Sequence, residues 1–357
     1  MIINANIQVR INMSLRESHW RYNIHGFVQI ESNVDLKNQY FKVKDLDPNL
    51  IVNVVDRINY DVRHCNKVGW NFYGIPGQDF LYYRGVRSEA FIENIEDSTK
   101  LIVNNAFFSK DKGRLWNSLL SAIIFLKLLQ NKCSFIHSSC VSIKNHGFLF
   151  VAFPDTGKST TAISMVKQNN AEYLSDDLTI IDRDGRAYCY PTPITMSSKV
   201  IEMSINKKIG LKRMLKLKFC SFLQKHLITN YVASKLFRFP PTAYIWDIIK
   251  NIKIAREAKV DAICLLEFGK DEIRKVSSDY MLRQANLINW EIVRHLTANF
   301  FIIVYSYFNP ELELSDYLNT HQEIMEDFLT QAESFIVRSK NGMWHEIIKK
   351  QIIPCFI

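Results

Sequence analysis

Residues 152–159, with the sequence Ala-Phe-Pro-Asp-Thr-Gly-Lys-Ser, combine a glycine, a lysine and a hydroxyl group at a spacing that suits phosphate binding. The apolar run Phe148–Phe153 predicts a strand, and the residues from Lys158 to about Gln168 predict a helix. A strand, a loop and a helix N-terminus form the context in which backbone N–H groups point at phosphates. The segment therefore predicts a phosphate-binding loop in which Ala152 replaces the usual first glycine.

The side chains of this loop suit a nucleoside triphosphate with Mg²⁺. An ammonium group at Lys158 can sit on the outer phosphates, and the Ser159 hydroxyl can hold the metal ion. The alternative is that Gly-Lys-Ser occurs by chance on a surface turn. The predicted ATP-binding residues are Asp155, Thr156, Gly157, Lys158, Ser159 and Thr160.

An acidic pair, Asp176 and Asp177, follows the predicted helix and precedes a new apolar run. A phosphoryl-transfer site needs one carboxylate near Mg²⁺ and another that accepts the proton of the attacking hydroxyl. An ordinary aspartate-rich turn is the alternative.

Upstream, His137 precedes a predicted hairpin that leads into the loop, so its imidazole could orient a phosphate or a carboxylate. A histidine buried in the core and bonded to backbone is the alternative there.

The order of these motifs resembles the catalytic domain of HPr kinase/phosphorylase and its relatives, a family similar in fold to phosphoenolpyruvate carboxykinases. The resemblance covers about residues 133–200 and rests on a histidine, a Gly-Lys-Ser loop and an acidic pair in that order. It implies that Asp177 is the general base for a serine-type hydroxyl and that His137 is its polar partner. It also implies that Lys158 binds phosphates. The implied metal-binding residues are Ser159, Asp176 and Glu202.

The chain departs from that family at two loop glycines, where Ala152 and Asp155 stand instead. A carboxylate at Asp155 is unfavourable in an anion-binding loop unless it faces away or caps a neighbouring group. The glutamate-glycine motif that the family uses for docking its protein substrate and for phosphorolysis is not evident. We therefore carry over from the family neither the phosphorylase activity nor HPr as the substrate, and whether phosphorolysis occurs stays open. Looser relatives, which phosphorylate a serine of a small molecule or of a ribosomally made peptide, match better.

The pattern of apolar residues predicts an α/β fold with two domains. A β-rich N-terminal domain is expected at residues 1–111, and a P-loop core resembling HPr kinase and phosphoenolpyruvate carboxykinase at residues 112–357. Apolar residues spaced by three and four predict a helix over residues 114–130. Further along, we expect a core strand over 261–267 and a strand near 300–306. The helices predicted beside them cover about 277–296 and 311–336.

The chain has an excess of basic residues that is unevenly distributed along the sequence. The net charge is +9, and much of the excess lies in a predicted basic helical insertion at about residues 203–246. That insertion suits an acidic partner, a phosphorylated substrate or an anionic membrane surface, or it is a solvated helix face. No nucleic-acid motif accompanies it.

The 7 scattered cysteines, without a signal peptide, predict a reducing, cytoplasmic location. No transmembrane segment is expected, because the nearest apolar run, Phe300–Phe308, is short and predicts a buried strand.

These observations predict an ATP-dependent kinase that transfers the γ-phosphate to a serine-type hydroxyl of a peptide, protein or small molecule. The catalytic residues expected are His137, Lys158 and Asp177, and the cofactors are ATP and Mg²⁺. A nucleotide-binding regulatory protein without phosphotransfer is the alternative, motivated by the two absent glycines. A carboxykinase-like enzyme is a weaker third hypothesis. The sequence leaves open the acceptor and whether the chain forms a homo-oligomer.

Overall fold

A computed structural model describes residues 19–109, 114–168, 170–195 and 242–357 of the chain. The fold is mixed α/β, with two large mixed sheets. Contacts divide the chain into two compact units, residues 1–134 with 291–322 (unit 1) and residues 135–290 with 323–357 (unit 2). This division assigns residues 114–130 to unit 1, whereas the sequence prediction assigns them to the C-terminal domain.

The helices of the described residues are numbered in chain order. They are α1 (Asn105–Ser109), α2 (Arg114–Gln130), α3 (Lys158–Gln168), α4 (Ile245–Ile248), α5 (Ser278–Thr297), α6 (Phe300–Phe308), α7 (Leu314–Thr330) and α8 (Trp344–Gln351). The helices predicted over 114–130 and from Lys158 are confirmed, as is the one near 277–296. None of the helices in these described ranges is both long and apolar enough to cross a membrane.

The predicted strand at Phe300–Phe308 is wrong, because these residues form α6. Asn299 caps this helix, since its side-chain oxygen accepts a hydrogen bond of 3.1 Å from the N–H of Phe301. A short apolar run does not distinguish a buried strand from a buried helix, so the cap decides. The helix predicted over 311–336 is also too long, because α7 ends at Thr330 and a strand follows.

Among the described residues of unit 1, eight strands form one sheet. They are β1 (Trp20–Ile24), β2 (Val28–Ser32), β3 (Leu50–Val55), β4 (Asn66–Val68), β5 (Phe72–Gly74), β6 (Phe80–Arg84), β7 (Glu89–Glu93) and β8 (Thr99–Asn104). Their order across the sheet is β1-β2-β3-β8-β7-β6-β5-β4. Only the pairs β2–β3 and β3–β8 are parallel among these strands. The alternation of buried and partly exposed residues in β2 shows that one face of this sheet is packed.

The remaining described strands follow, and all except one short antiparallel pair build the sheet of unit 2. They are β9 (Cys133–Ile136), β10 (Ser138–Ile143), β11 (His146–Val151), β12 (Glu172–Ser175), β13 (Thr179–Asp182), β14 (Arg186–Tyr188), β15 (Ile194–Thr195), β16 (Thr242–Ala243), β17 (Glu257–Phe268), β18 (Glu272–Val276) and β19 (Glu333–Ser339). The order is β12-β10-β11-β17-β14-β13-β9, while β19 joins β17 and β18 joins β19. Strands β15 and β16 pair only with each other in the described part of the chain.

Three parallel strands, β11, β17 and β19, form the centre of the unit 2 sheet. In their register Val151 lies opposite Leu265, and Leu265 lies opposite Ile336. Their carboxyl ends therefore meet at one edge of the sheet, where open α/β sheets bind ligands. Helices α3 and α8 pack on the same face of these strands, over a buried cluster that includes Phe150 and Trp344.

Candidate functional site

The segment between β11 and α3 is a short loop that ends in a helix N-terminus. The first hydrogen bond of the helix runs over 2.9 Å from the N–H of Thr161 to the carbonyl of Gly157. The N–H groups of Lys158, Ser159 and Thr160 therefore precede the helical hydrogen-bond ladder and point out of its positive end. This end of α3 lies at the carboxyl edge of the parallel strands.

Gly157 is required by its backbone and by its surroundings. Its φ of +129° lies in the region that side chains rarely adopt, and an added Cβ would lie 2.6 Å from Cζ3 of Trp344. Trp344 is buried, and its Nε1 donates a hydrogen bond of 2.9 Å to the carbonyl of Glu267. The indole ring is thus fixed between β17 and the loop, so the loop approaches it closely only because residue 157 has no side chain.

Ala152 and Asp155 occupy the two positions where the sequence departs from the resembled family. The buried Ala152 contributes its carbonyl, which accepts a hydrogen bond of 2.7 Å from Nζ of Lys158. Asp155 is exposed and adopts a left-handed φ of 61°, which aspartate tolerates better than most residues. The loop therefore keeps a left-handed backbone at the substituted position. Thr156, the next residue, is half-buried.

Asp176 is a buried carboxylate that is held by two hydroxyl groups. Ser139 Oγ donates a short hydrogen bond to its Oδ1, and the Ser159 side chain also hydrogen-bonds to it. Burial raises the pKa of Asp176 above its usual value, whereas the two serine hydroxyls and the charge of Lys158 oppose that rise. The first turn of α3 and the acidic pair are therefore direct neighbours.

Asp177 differs from Asp176 because its side chain is 67% exposed. Nε2 of His137 lies 3.1 Å from its Oδ1, and the side chain of His137 is nearly buried. The hydrogen bond from His137 is the main cause that lowers the pKa of Asp177, and the charges of His137 and Lys158 lower it further against the effect of burial. Asp177 is therefore an ionised, accessible carboxylate beside a lysine and a histidine.

The turn that carries the two acids is held from three sides. Asp177 itself has a left-handed φ of 69°. Beyond it, Thr179 Oγ1 lies 2.7 Å from Ser138 Oγ and 2.6 Å from Ser175 Oγ, which links β13 to the strands on which those serines lie. Thr192 Oγ1 donates a hydrogen bond of 2.5 Å to the carbonyl of Asp176. Buried hydroxyl pairs of this kind fix the strained backbone, and strain of this type concentrates at functional sites.

His137 is held in place by a residue distant in sequence. Its backbone N–H donates a hydrogen bond of 2.7 Å to Oδ1 of Asn289, which lies on α5. Asn289 is fully buried, and its Nδ2 lies 3.5 Å from the sulfur of Met325. The backbone at the corner between β9 and β10 is thus bonded to a side chain in the middle of a helix.

The structure brings together most of the residues that the sequence singles out. His137, Lys158, Ser159, Asp176 and Asp177 form one cluster. Gly157 and Thr160 continue the same loop and helix turn, and Asp155 lies on its exposed part. The predicted ligand Glu202 lies outside the described residues, as does the basic insertion except for 242–246. Within the described ranges, no group of three or more His, Cys, Asp and Glu side chains could hold a metal ion.

Three residues of the site were not found by sequence reasoning. Ser139 bonds Asp176, Asn289 bonds the backbone of His137, and Trp344 supports Gly157. The position of Ser139 inside a buried strand gives a weak indication of its role, because a buried hydroxyl group needs a hydrogen-bond partner. Asn289 and Trp344 carried no signal, since their contacts are made only by tertiary packing.

Comparison with known proteins does not place the chain. Neither models of known protein families nor curated proteins match its sequence. The site geometry therefore carries the functional inference.

Proposed function

We propose that this protein is an ATP-dependent kinase that transfers the γ-phosphate to a hydroxyl of a peptide, protein or small molecule. One observation carries the proposal. The first turn of α3, which carries Lys158 and Ser159, lies next to two carboxylates. The carboxylate of Asp176 is buried and that of Asp177 is exposed. This combination of phosphate-binding and acid–base groups is what phosphoryl transfer requires.

The donor set fits a nucleoside triphosphate and Mg²⁺. The N–H groups at the start of α3 and the ammonium of Lys158 are donors for phosphate oxygens. The Ser159 hydroxyl and the Asp176 carboxylate, already hydrogen-bonded to each other, are hard oxygen ligands of the kind Mg²⁺ prefers. When bound, Mg²⁺ supplies neutralisation of charge on the phosphate oxygens. Burial is the main cause of the raised pKa of Asp176, because it disfavours the charged carboxylate. A nearby cation favours the charged form and so offsets this rise.

In the transfer step, Asp177, His137 and Lys158 each have a separate role. The oxygen of the acceptor hydroxyl forms a bond to the γ-phosphorus while the bond between that phosphorus and the β–γ bridging oxygen breaks, so ADP leaves. The acceptor's proton goes to the carboxylate of Asp177, which is ionised at neutral pH, consistent with its lowered pKa. His137 orients that carboxylate through its Nε2. Lys158 balances the negative charge that accumulates on the phosphates.

The test uses the purified protein with ATP labelled in the γ-phosphate, Mg²⁺ and a cell extract as the source of acceptor. We expect label to appear in a new product with the natural chain and to be absent with Lys158→Ala. Lys167→Ala is the matched control, since Lys167 lies in the last turn of the same helix. Equal labelling by the natural chain and by Lys158→Ala would contradict the proposal.

A second candidate function is nucleotide-dependent regulation without phosphotransfer. The two absent loop glycines motivate it, because Ala152 and the exposed Asp155 stand where the resembled kinases have glycine. This alternative predicts that ATP raises the melting temperature while the γ-label stays on the nucleotide with every extract fraction. The labelling experiment therefore separates the two candidates.

A further inference from the structure

Unit 2 exposes aromatic surface at the edge where its parallel strands end. Phe268, the last residue of β17, is 58% exposed, although the strand before it is buried over most of its length. Phe153, which follows β11, is 53% exposed, and Met343, which follows β19, is 42% exposed. Large apolar side chains gathered at a ligand-binding edge differ from singly scattered ones, which need no explanation.

Phe268 is connected to the loop by ring packing. Its ring lies 4.8 Å from the ring of Trp344, between centroids, at 64°. Trp344 in turn approaches Gly157 so closely that a Cβ there would collide with it. Phe268 therefore lies one aromatic ring away from the proposed phosphate-binding loop, and its exposed side faces solvent at that edge.

The strand order places this aromatic residue and the acidic pair on opposite sides of the loop. The loop follows β11, whose two neighbours are β10 and β17. Ser139 on β10 bonds Asp176, whereas Phe268 ends β17. A triphosphate whose terminal phosphate faces the acids would direct its nucleoside end to the other side of β11.

We propose that Phe268 stacks on the base of the bound nucleotide, so that this edge is the nucleobase subsite. The inference rests on the proposed function. Every base offers a π-face, and an exposed phenylalanine ring offers a matching apolar face at small entropic loss. Trp344 packs against this ring in a T-shaped contact. Phe153 and Met343 add apolar surface at the same edge.

The test compares two ligands by calorimetry in the presence of Mg²⁺, namely ATP and inorganic tripolyphosphate, which lacks a base. We expect the natural chain to bind both, and ATP more tightly. Phe268→Ala should weaken ATP binding by roughly tenfold, the effect of losing one base–aromatic stack, and should leave tripolyphosphate binding unchanged. Phe268→Tyr, which keeps the ring, should bind ATP as the natural chain does.

Leu287→Ala is the matched control, because Leu287 belongs to the same unit and is 59% exposed. This change should alter neither ligand's affinity. If Phe268→Ala binds ATP normally, or loses both ligands equally, the nucleobase subsite is refuted while the kinase proposal stands. If the natural chain binds neither ligand, the proposed function is refuted and the subsite with it.

Discussion

Two buried lysines, one in each unit, show how similar burial serves different purposes. Lys127 in unit 1 and Lys158 in unit 2 both lie on helices and are both almost inaccessible. Lys127 lies in the last turn of α2, where a positive charge interacts favourably with the helix dipole. Lys158 is the first residue of α3, where the same charge is unfavourable.

The groups around the two lysines differ as well. Nζ of Lys127 donates hydrogen bonds to the carbonyls of Ile95 (2.9 Å) and Asp97. Burial lowers its pKa to about 8, although nearby acids oppose the shift. Nζ of Lys158 also donates a hydrogen bond of 2.7 Å to a carbonyl, that of Ala152, but this lysine lies in addition beside an accessible carboxylate, Asp177. The first arrangement closes a loop, whereas the second holds a charge that the helix dipole disfavours beside an exposed carboxylate. The following predictions test that contrast.

The largest effect is expected for Asp177→Asn. Asparagine tolerates the left-handed backbone of this position as well as aspartate does, so the fold should be retained. The amide cannot accept the proton of the acceptor hydroxyl, and the transfer rate should fall by roughly 10²–10⁴-fold. ATP affinity should change little. Rapid-quench transfer assays and calorimetry measure the two quantities, with the exposed Asp184→Asn as the control. Undiminished transfer by Asp177→Asn would remove the general-base assignment.

Exchanging each lysine for methionine tests the comparison directly. Lys127→Met should lower the free energy of unfolding by about 1–3 kcal/mol, because the carbonyls of Ile95 and Asp97 lose a charged donor. It should leave ATP affinity unchanged. Lys158→Met should abolish ATP binding and lower the unfolding free energy less than Lys127→Met does, because it removes a donor to one carbonyl, that of Ala152, but also relieves an unfavourable charge at the helix N-terminus. Denaturant titration and calorimetry of both variants give the answer, and the opposite assignment of effects would contradict the comparison.

A third prediction concerns the pH dependence of stability in unit 1. Nδ1 of His321 lies 2.6 Å from Oγ of Ser134, and burial lowers the pKa of His321 from 6.5 to about 4. Between these two values the unfolded chain binds a proton that the folded chain does not. Stability should therefore fall as the pH decreases from about 6.5 to about 4, by roughly 2–3 kcal/mol in total.

The control for this pH effect is His321→Gln, which cannot titrate but still offers Ser134 a hydrogen-bonding partner. Thermal melts of both proteins across that pH range measure the difference. The decline should be clearly smaller in the variant. Parallel pH profiles would show that His321 does not carry the effect.

The smallest effect is expected for Ser139→Ala, which removes one of the two hydroxyls on Asp176. Loss of one hydrogen bond of about 1 kcal/mol should raise the Mg²⁺ concentration needed for half-maximal ATP binding by about fivefold. Ser142→Ala, at another buried serine of β10, should have no such effect. Identical Mg²⁺ dependence of the two variants would show that Ser139 does not orient Asp176.

Local sequence patterns predicted several elements and most of the cluster. The bounds of α2 follow from apolar periodicity, since a packed face requires regularly spaced apolar residues, and those of α3 follow from the loop motif that precedes it. Apolar periodicity failed at α6, where a short, uniformly apolar run suits either structure and the Asn299 cap decided.

The sequence by itself determined which residue types could bind phosphate and carry protons, because a Gly-Lys-Ser loop and an acidic pair are local patterns. Only the tertiary structure decided that Asp176 is buried and Asp177 exposed, that Asn289 holds His137, and that Phe268 packs against Trp344. These relations join residues far apart in the chain. They arise from the order of strands in the unit 2 sheet and from helices packed on it, which no local spacing encodes.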